Sequence, residues 1–379
     1  MENPVLGVFF HWLGGLSSAS FYVPYRGVKG WSWEIFWLTG GLFSWLFAPW
    51  FFAALQTQDL LGVLSRTPPT TIGYCMLFGF LWGFGGLTYG LTMRYLGLSL
   101  GMAVVLGLCT VFGTLIPPIF AGNAATTLLG TASGRVSLFG LAITVLGIVV
   151  VASAGARKDA ALTPEQKSET IKEFDFTRGL LVAIFSGIMS SCYAYGLAAG
   201  ELVRQLSAAA GTGPLWVGLP VICLVTGGGL ITNGLWCLLL VGRNGSGGQW
   251  TGRSAVVSGM AHAGMSNSAV EAGPDSSTLR TERLSWGALA RNYGLCALGG
   301  TLWYFQFFFY TMGESQMGRF GFSSWTIHMA SIIIFGTIWG FALHEWKDAA
   351  VRTRVRVWLG VGLLVFATVV IGYGNTLST

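Results

Sequence analysis

The chain has 379 residues, 53% of them hydrophobic and only 9% charged, with a mean hydropathy of +0.63. A soluble domain with so few charges would precipitate, so composition excludes the water-soluble classes and makes this an integral membrane protein with the lipid bilayer as its partner. The net charge of +6 carries no nucleic-acid signal, because the basic residues are confined to particular loops.

Apolar runs of about 20 residues match a bilayer core, and ten can be drawn: 5 to 25, 33 to 55, 71 to 93, 99 to 121, 136 to 155, 179 to 200, 214 to 241, 289 to 311, 321 to 343 and 356 to 375. The first lacks the basic n-region of a signal peptide. It carries His11, Gly15, Ser18 and Tyr22 at helical spacing, a small and polar stripe that serves either close helix packing or function. Glu34 opens the second span just after Ser32, where an acid suits a helix N-terminus. Arg94 ends the third span on the same side, and an ion pair between the two would be an anchor, a gate or a proton-sensitive latch.

Spans 3 and 8 carry Trp82 and Tyr89, and Trp303, Gln306 and Tyr310, each set on one helical face. Such rings offer an apolar face to the C–H side of a sugar, and an amide both donates to and accepts from hydroxyls. The competing reading is that they fill the bundle core or form an interfacial belt. In span 9, His328 shares a face with Ser324 and Ser331. His11, Gln306 and His328 all fall at one depth, about 9 to 12 Å in at 1.5 Å per residue, which suggests a single polar layer. Ionisable groups at membrane depth are costly and usually face protein, water or substrate. Glu201 and Glu345 stand near span ends and read as interfacial. Cys75, Cys109, Cys192, Cys223, Cys237 and Cys296 lie in apolar segments without CxxC spacing, as free buried thiols do.

Short matches recur in the same order along the chain: span 3 "GYCMLFGFLWGFGGLTYG" with span 8 "GLCALGGTLWYFQFFFYT", "VFGTLI" with "IFGTIW", "LTGG" with "VTGG", and "GGLSSASFY" with "SGIMSSCYAY". Five spans per repeat is an odd number, so the second half is inverted relative to the first, as in secondary transporters. The expected fold is therefore an all-α integral membrane protein of ten transmembrane helices in two inverted five-helix repeats. Residues 1–156 form the first, 157–178 a cytoplasmic linker with a surface helix starting at Thr163 and Pro164, and 179–379 the second. The second repeat includes a long Gly- and Ser-rich cytoplasmic loop at 243–288, in which His262 is solvated. With the N-terminus outside, all of the 21 Lys and Arg except Arg66, Arg135, Arg204 and Arg319 fall on the inner side, so both termini are expected to be periplasmic. No zinc-binding HExxH and no P-loop is present. No enzyme, metal or cofactor is expected, and an ion gradient is the simplest energy source.

The motifs "FHWLGGLSSASFYVPYRGVKGWSWE", "YGLTMRYLG", "GTLWYFQFFFYTMG" and "SSWTIHM" resemble the L-rhamnose/proton symporter family of the drug/metabolite transporter superfamily. The resemblance runs through nearly the whole chain. It implies a bacterial inner-membrane carrier that imports L-rhamnose or a close 6-deoxysugar with protons, and it singles out His11, Glu34, Arg94, Gln306 and His328, which stand inside those motifs. Thr88 departs from the Asn expected before "YGLTMRYLG", and the 243–288 loop is longer than the family pattern. Transport of another metabolite, or a non-transporting membrane sugar sensor, are the alternatives.

Overall fold

A computed structural model describes residues 3–96, 98–161, 176–257, 279–318, 321–344, 346–347, 349–374 and 377. Its elements in chain order are α1 (Pro4–Ser20, followed by a helical turn at Tyr22–Tyr25), α2 (Trp33–Gln56), α3 (Leu60–Arg66), α4 (Pro69–Leu96), α5 (Leu98–Phe120), α6 (Ala132–Ala160), α7 (Phe176–Ala199), α8 (Glu201–Ala209), α9 (Leu219–Asn244), β1 (Arg253–Val257), β2 (Leu279–Arg283), α10 (Trp286–Gln316), α11 (Gly321–Ala342) and α12 (Val351–Gly374). Among the described residues, seven helices are long and apolar enough to cross a membrane: α2, α4, α6, α7 together with α8, α9, α11 and α12. The chain is thus a helical, multi-pass membrane protein. Helices α1, α5 and α10 stand outside the seven for visible reasons. The first is short, the apolar part of the second covers only Val104–Phe120, and the third carries Arg291, Asn292 and Glu314 towards its ends.

Two helices appear where the sequence reading has turns, α3 and α8. Both are too short to show a full apolar repeat. The 243–288 loop, read as irregular, is ordered at both ends. A 3-10 turn at Ser246–Thr251 follows α9, and β1 pairs antiparallel with β2 from Arg253 opposite Arg283 to Val257 opposite Leu279. Five-residue strands are too short to announce a period of two. His262, Glu345 and the surface helix expected from Thr163 lie outside the described residues.

In lipid, apolar burial does not drive helices together, so close contact of small residues does. A Cβ on Gly79 would run into the Val225 carbonyl of α9, one on Gly228 into the Met76 carbonyl of α4, and one on Gly300 into the Gly40 carbonyl of α2. These glycines let α4 lie on α9 and α10 on α2 backbone to backbone. Helix α1 fits between α10 and α11, α7 between α4 and α5, and α6 lies along α12. Asn3, the turns at 57–68 and 200–218, and the end of α10 come together at one end of the bundle, the N-terminal face. Contacts such as Gln58 N–H to Thr212 Oγ1 (2.9 Å) tie that face together. The opposite face holds residues 26–32, the end of α9 and the start of α10, joined by Lys29 N–H to Asn292 Oδ1 (3.2 Å) and Ser32 N–H to Gln249 Oε1 (2.6 Å).

Candidate functional site

A cavity of about 460 Å³ lies among the helices, within the size range of small-molecule sites. Its deep wall is aromatic. Trp82 of α4 and Trp303 of α10 meet at 5.3 Å between ring centroids, and Trp45 of α2 stands edge-on to both at 6.4 and 6.3 Å. Trp45 reaches this position from a π-helical stretch, Phe43–Phe47. Pro49, four residues on, has no N–H to give the Trp45 carbonyl, and such bulges re-aim side chains at functional positions. Gly41 leaves room for the Trp45 ring and Gly40 for the Tyr25 ring, because a Cβ at either would collide with it. This is what the "LTGG" motif accomplishes.

Polar groups are few and placed at two levels. At the closed end, Ser18 Oγ donates to Gln306 Oε1 at 2.9 Å, both residues lining the cavity and buried. On the α2–α9 side, Trp37 Nε1 donates to Asn233 Oδ1 at 3.2 Å, while Asn233 Nδ2 is fixed on the Gly229 carbonyl at 3.0 Å. From there the lining runs past Tyr89, Thr337 and Gly155 to Trp346, so the cavity reaches the face opposite the N-terminus. At that mouth Lys158 Nζ sits 5.1 Å over the Trp346 ring, a cation–π contact.

Of the residues marked in the sequence, Trp82, Tyr89, Trp303 and Gln306 line the cavity. His11, Tyr310 and His328 do not. They form a sealed layer behind Gln306, towards the N-terminal face, with ring centroids 5.2 Å apart for His11 and Tyr310, 5.3 Å for Tyr310 and His328, and 6.2 Å for the two histidines. Both histidines are fully buried, and no ring nitrogen makes a hydrogen bond of good geometry, although His328 approaches the His11 backbone. Buried unpaired polar atoms are rare and expensive. The rings fit because His11 lies on Gly313 and His328 on Gly14. Thr88 is not among the lining residues, and its hydroxyl bonds back to the Phe84 carbonyl at 2.7 Å.

Glu34 is buried at the start of α2 and accepts from Ser246 Oγ at 2.7 Å and Asn244 Nδ2 at 3.1 Å. Gly245 makes this possible. Its φ of 63° ends α9 in the left-handed region, where glycine is favoured, and folds Ser246 back under the carboxylate. Trp250 Nε1 on the same turn donates to Thr39 Oγ1 at 3.0 Å. Arg94 stands in α4, and its side chain lies outside the described residues.

Sequence reasoning missed Trp37, Trp45 and Asn233 at the cavity. Asn233 was findable by the rule that marks Gln306, an amide within an apolar run. It also missed the pair of Arg204 on α8 and Glu314 on α10, whose Nη2 and Oε2 are 2.7 Å apart. Nothing local announces a partner so far along the chain.

Long apolar helices around an aromatic-walled cavity, closed at one end by a buried polar layer and reaching the other, define a multi-pass membrane protein with an internal small-molecule-sized site. The chain belongs to the family described as L-rhamnose-proton symport protein (RhaT), whose model matches residues 1–245 and 281–377. That family is one of transporters rather than enzymes. An L-rhamnose-proton symporter of Citrobacter koseri is 34% identical over 376 residues, 99% of either chain. One of Salmonella gallinarum is 33% identical over 378 residues, covering 99% of this chain and 100% of the relative. The family model leaves 246–280 unmatched, so Ser246, Gln249 and Trp250, which clamp the start of α2, lie in a segment outside the shared pattern.

Proposed function

We propose that the protein imports L-rhamnose, or a closely related 6-deoxysugar, together with protons across the bacterial inner membrane by alternating access. In this reading ten spans form two inverted five-helix repeats, residues 1–156 and 179–379, and the N-terminal face with both termini is periplasmic. The sugar packs its C–H face on Trp303 and Trp82 and bonds its hydroxyls to Gln306 and Asn233, with Tyr89 on the exit side. His11, Tyr310 and His328 seal the periplasmic end and take part in proton coupling, while Glu34 and Arg94 act in the cytoplasmic gate.

Equivalent contacts in the two halves support the repeat. Gly15 of α1 lies on Ser331 of α11, and Gly187 of α7 lies on Leu108 of α5. Ser18 meets Gln306, as Ser190 meets Gly85. Gly14 faces the Gln306 carbonyl, and Ser186 Oγ donates to the Gly85 carbonyl at 2.9 Å. Trp82 and Trp303, equivalent by the sequence repeat, touch each other, as residues on a twofold axis would.

The same exchange supports a functional role for the histidines. It takes Tyr310 to Tyr89, His11 to Ala183 and His328 to Val105, and those three counterparts pack together in an apolar cluster with Leu96. Volume is traded locally, since Gly313 and Gly14, under the histidine rings, correspond to Thr92 and Ser186. An apolar layer therefore fills the exchange-related position, and packing alone does not call for imidazoles beside Tyr310.

The observation that carries the reading is the aromatic cavity capped by Gln306 and Ser18 in a chain of this family. The test is uptake of labelled L-rhamnose into proteoliposomes under an inward proton gradient. Accumulation abolished by a protonophore is the expected result. Folded protein giving no uptake, or uptake indifferent to the gradient, would count against symport.

A further inference from the structure

The sealed layer at the N-terminal face continues outward into charged groups that the reading above does not use. Glu314 stands four residues beyond Tyr310 on α10, so the two share a helical face, and the Tyr310 hydroxyl lies beside the Glu314 carboxylate. Across from it, Arg204 on α8 places Nη2 2.7 Å from Glu314 Oε2, with the two side chains only 15% and 21% exposed. Glu201 holds the other end of the guanidinium at 3.4 Å and is itself largely exposed. Among the described residues, the titratable groups facing Glu314 are Tyr310 on its own helix, Arg204 and Glu201 on α8, and, beyond the Tyr310 ring, His11 on α1 and His328 on α11. The turn before α9 brings Gly218 against Thr311 of α10 and adds no titratable group there. Asp59 and Arg66 of the neighbouring turn and α3 are exposed and paired with each other at 3.1 Å.

We propose, resting on the symport reading, that Glu314 is the carboxylate through which the coupled proton enters from the N-terminal face, and that Arg204 is the group that drives it inward. Two effects act on Glu314 in opposite directions. Burial favours the neutral acid, and an adjacent guanidinium favours the carboxylate. When the N-terminal face opens and α8 withdraws from α10, Glu314 loses Arg204 and binds a proton from water, becoming a neutral carboxylic acid. When the face closes behind the sugar, Arg204 returns to the 2.7 Å contact seen here and the ionised form is favoured. The proton leaves the Glu314 oxygen and is taken up on a ring nitrogen of His11 or His328. Each neutral ring carries one N–H and one nitrogen with a lone pair, and the lone-pair nitrogen is the one able to accept. The carboxylate is regenerated and the imidazole becomes imidazolium, which returns to the neutral ring by giving its proton to water in the cavity once that side is open. The repeat adds an independent argument: the position matching Glu314 is Met93, so the acid, like the histidines, has no ionisable counterpart.

The test separates coupling from sugar movement in proteoliposomes. In Glu314→Gln, counterflow of labelled against unlabelled L-rhamnose at equal pH is expected to persist, whereas accumulation driven by an inward proton gradient falls to the level seen with a protonophore. Sugar-induced proton uptake is lost with it. Arg204→Gln is expected to lose accumulation as well, and Glu201→Gln to keep both activities. Gradient-driven accumulation by Glu314→Gln at the wild-type level would overturn the inference. Loss of counterflow in Glu314→Gln, with a normal thermal transition and a normal thermal shift on adding L-rhamnose, would also overturn it, by making Glu314 a residue of gate opening rather than of coupling. Wild-type protein that exchanges no L-rhamnose would instead sink the transport reading, and this inference with it.

Discussion

Gln306 is a neutral amide set into a wall of indole rings, with its carbonyl already engaged by Ser18 at 2.9 Å. Gln306→Leu keeps the bulk, removes the amide and leaves the Ser18 hydroxyl facing the cavity. A single net hydrogen bond is worth about 0.5–1.5 kcal/mol, so the half-saturating concentration for L-rhamnose counterflow is expected to rise about 2- to 12-fold while thermal stability changes little. An unchanged concentration would remove Gln306 from the binding site. The sequence marks residues of this kind well, because a polar side chain in an apolar run needs a reason. It does not tell what they face. His11, Gln306 and His328 read as one layer by depth, yet only Gln306 lines the cavity, and the histidines lie behind it against Gly313 and Gly14. That distinction depends on how α1, α10 and α11 are rotated against one another, which the packing of glycines on backbone decides.

At the scale of elements, the glycines that place one helix on another can be told from those that do not. Gly79 and Gly300, which stand at matching places in the motifs of α4 and α10, abut the backbone carbonyls of Val225 and Gly40, which cannot move aside as a flexible side chain would. Gly73 and Gly294, also at matching places, have nothing within 4 Å of an added Cβ. Overpacking costs about 1–3 kcal/mol. Gly79→Ala and Gly300→Ala should therefore both lower the thermal transition of the detergent-solubilised protein, and by similar amounts, whereas Gly73→Ala and Gly294→Ala should leave it unchanged or slightly raised, alanine being the better helix former. Equal effects at all four positions would contradict the close-packed arrangement of α4 on α9 and α10 on α2. The long helices were legible from apolar length, with ends within a few residues for most. The π-helical stretch around Trp45 and the return of Ser246 to Glu34 were not, because each depends on a partner brought by the rest of the bundle. The sequence pairs Glu34 with Arg94 as a nearby opposite charge. The partners described for it are Ser246 and Asn244, reached through the turn at Gly245.

For the whole molecule, the cavity reaches one face while the other is closed, so transport requires the N-terminal face to part. Gln58, after α2, and Thr212, after α8, are joined there by a 2.9 Å hydrogen bond. The backbone of one lies within hydrogen-bond reach of the side chain of the other, a spacing compatible with a disulfide. All six native cysteines are buried, which keeps background cross-linking low. Oxidised Gln58→Cys/Thr212→Cys protein should still bind L-rhamnose from the open face, read as a thermal shift, but should neither take it up nor exchange it, and dithiothreitol should restore both. The argument turns on which halves move. If the repeats rock against each other, a covalent tie across their N-terminal ends holds the cavity open to one side only, and binding survives without turnover. If complete cross-linking leaves uptake at the reduced rate, the two tied turns travel together, and the opening must lie elsewhere, between helices of the same half.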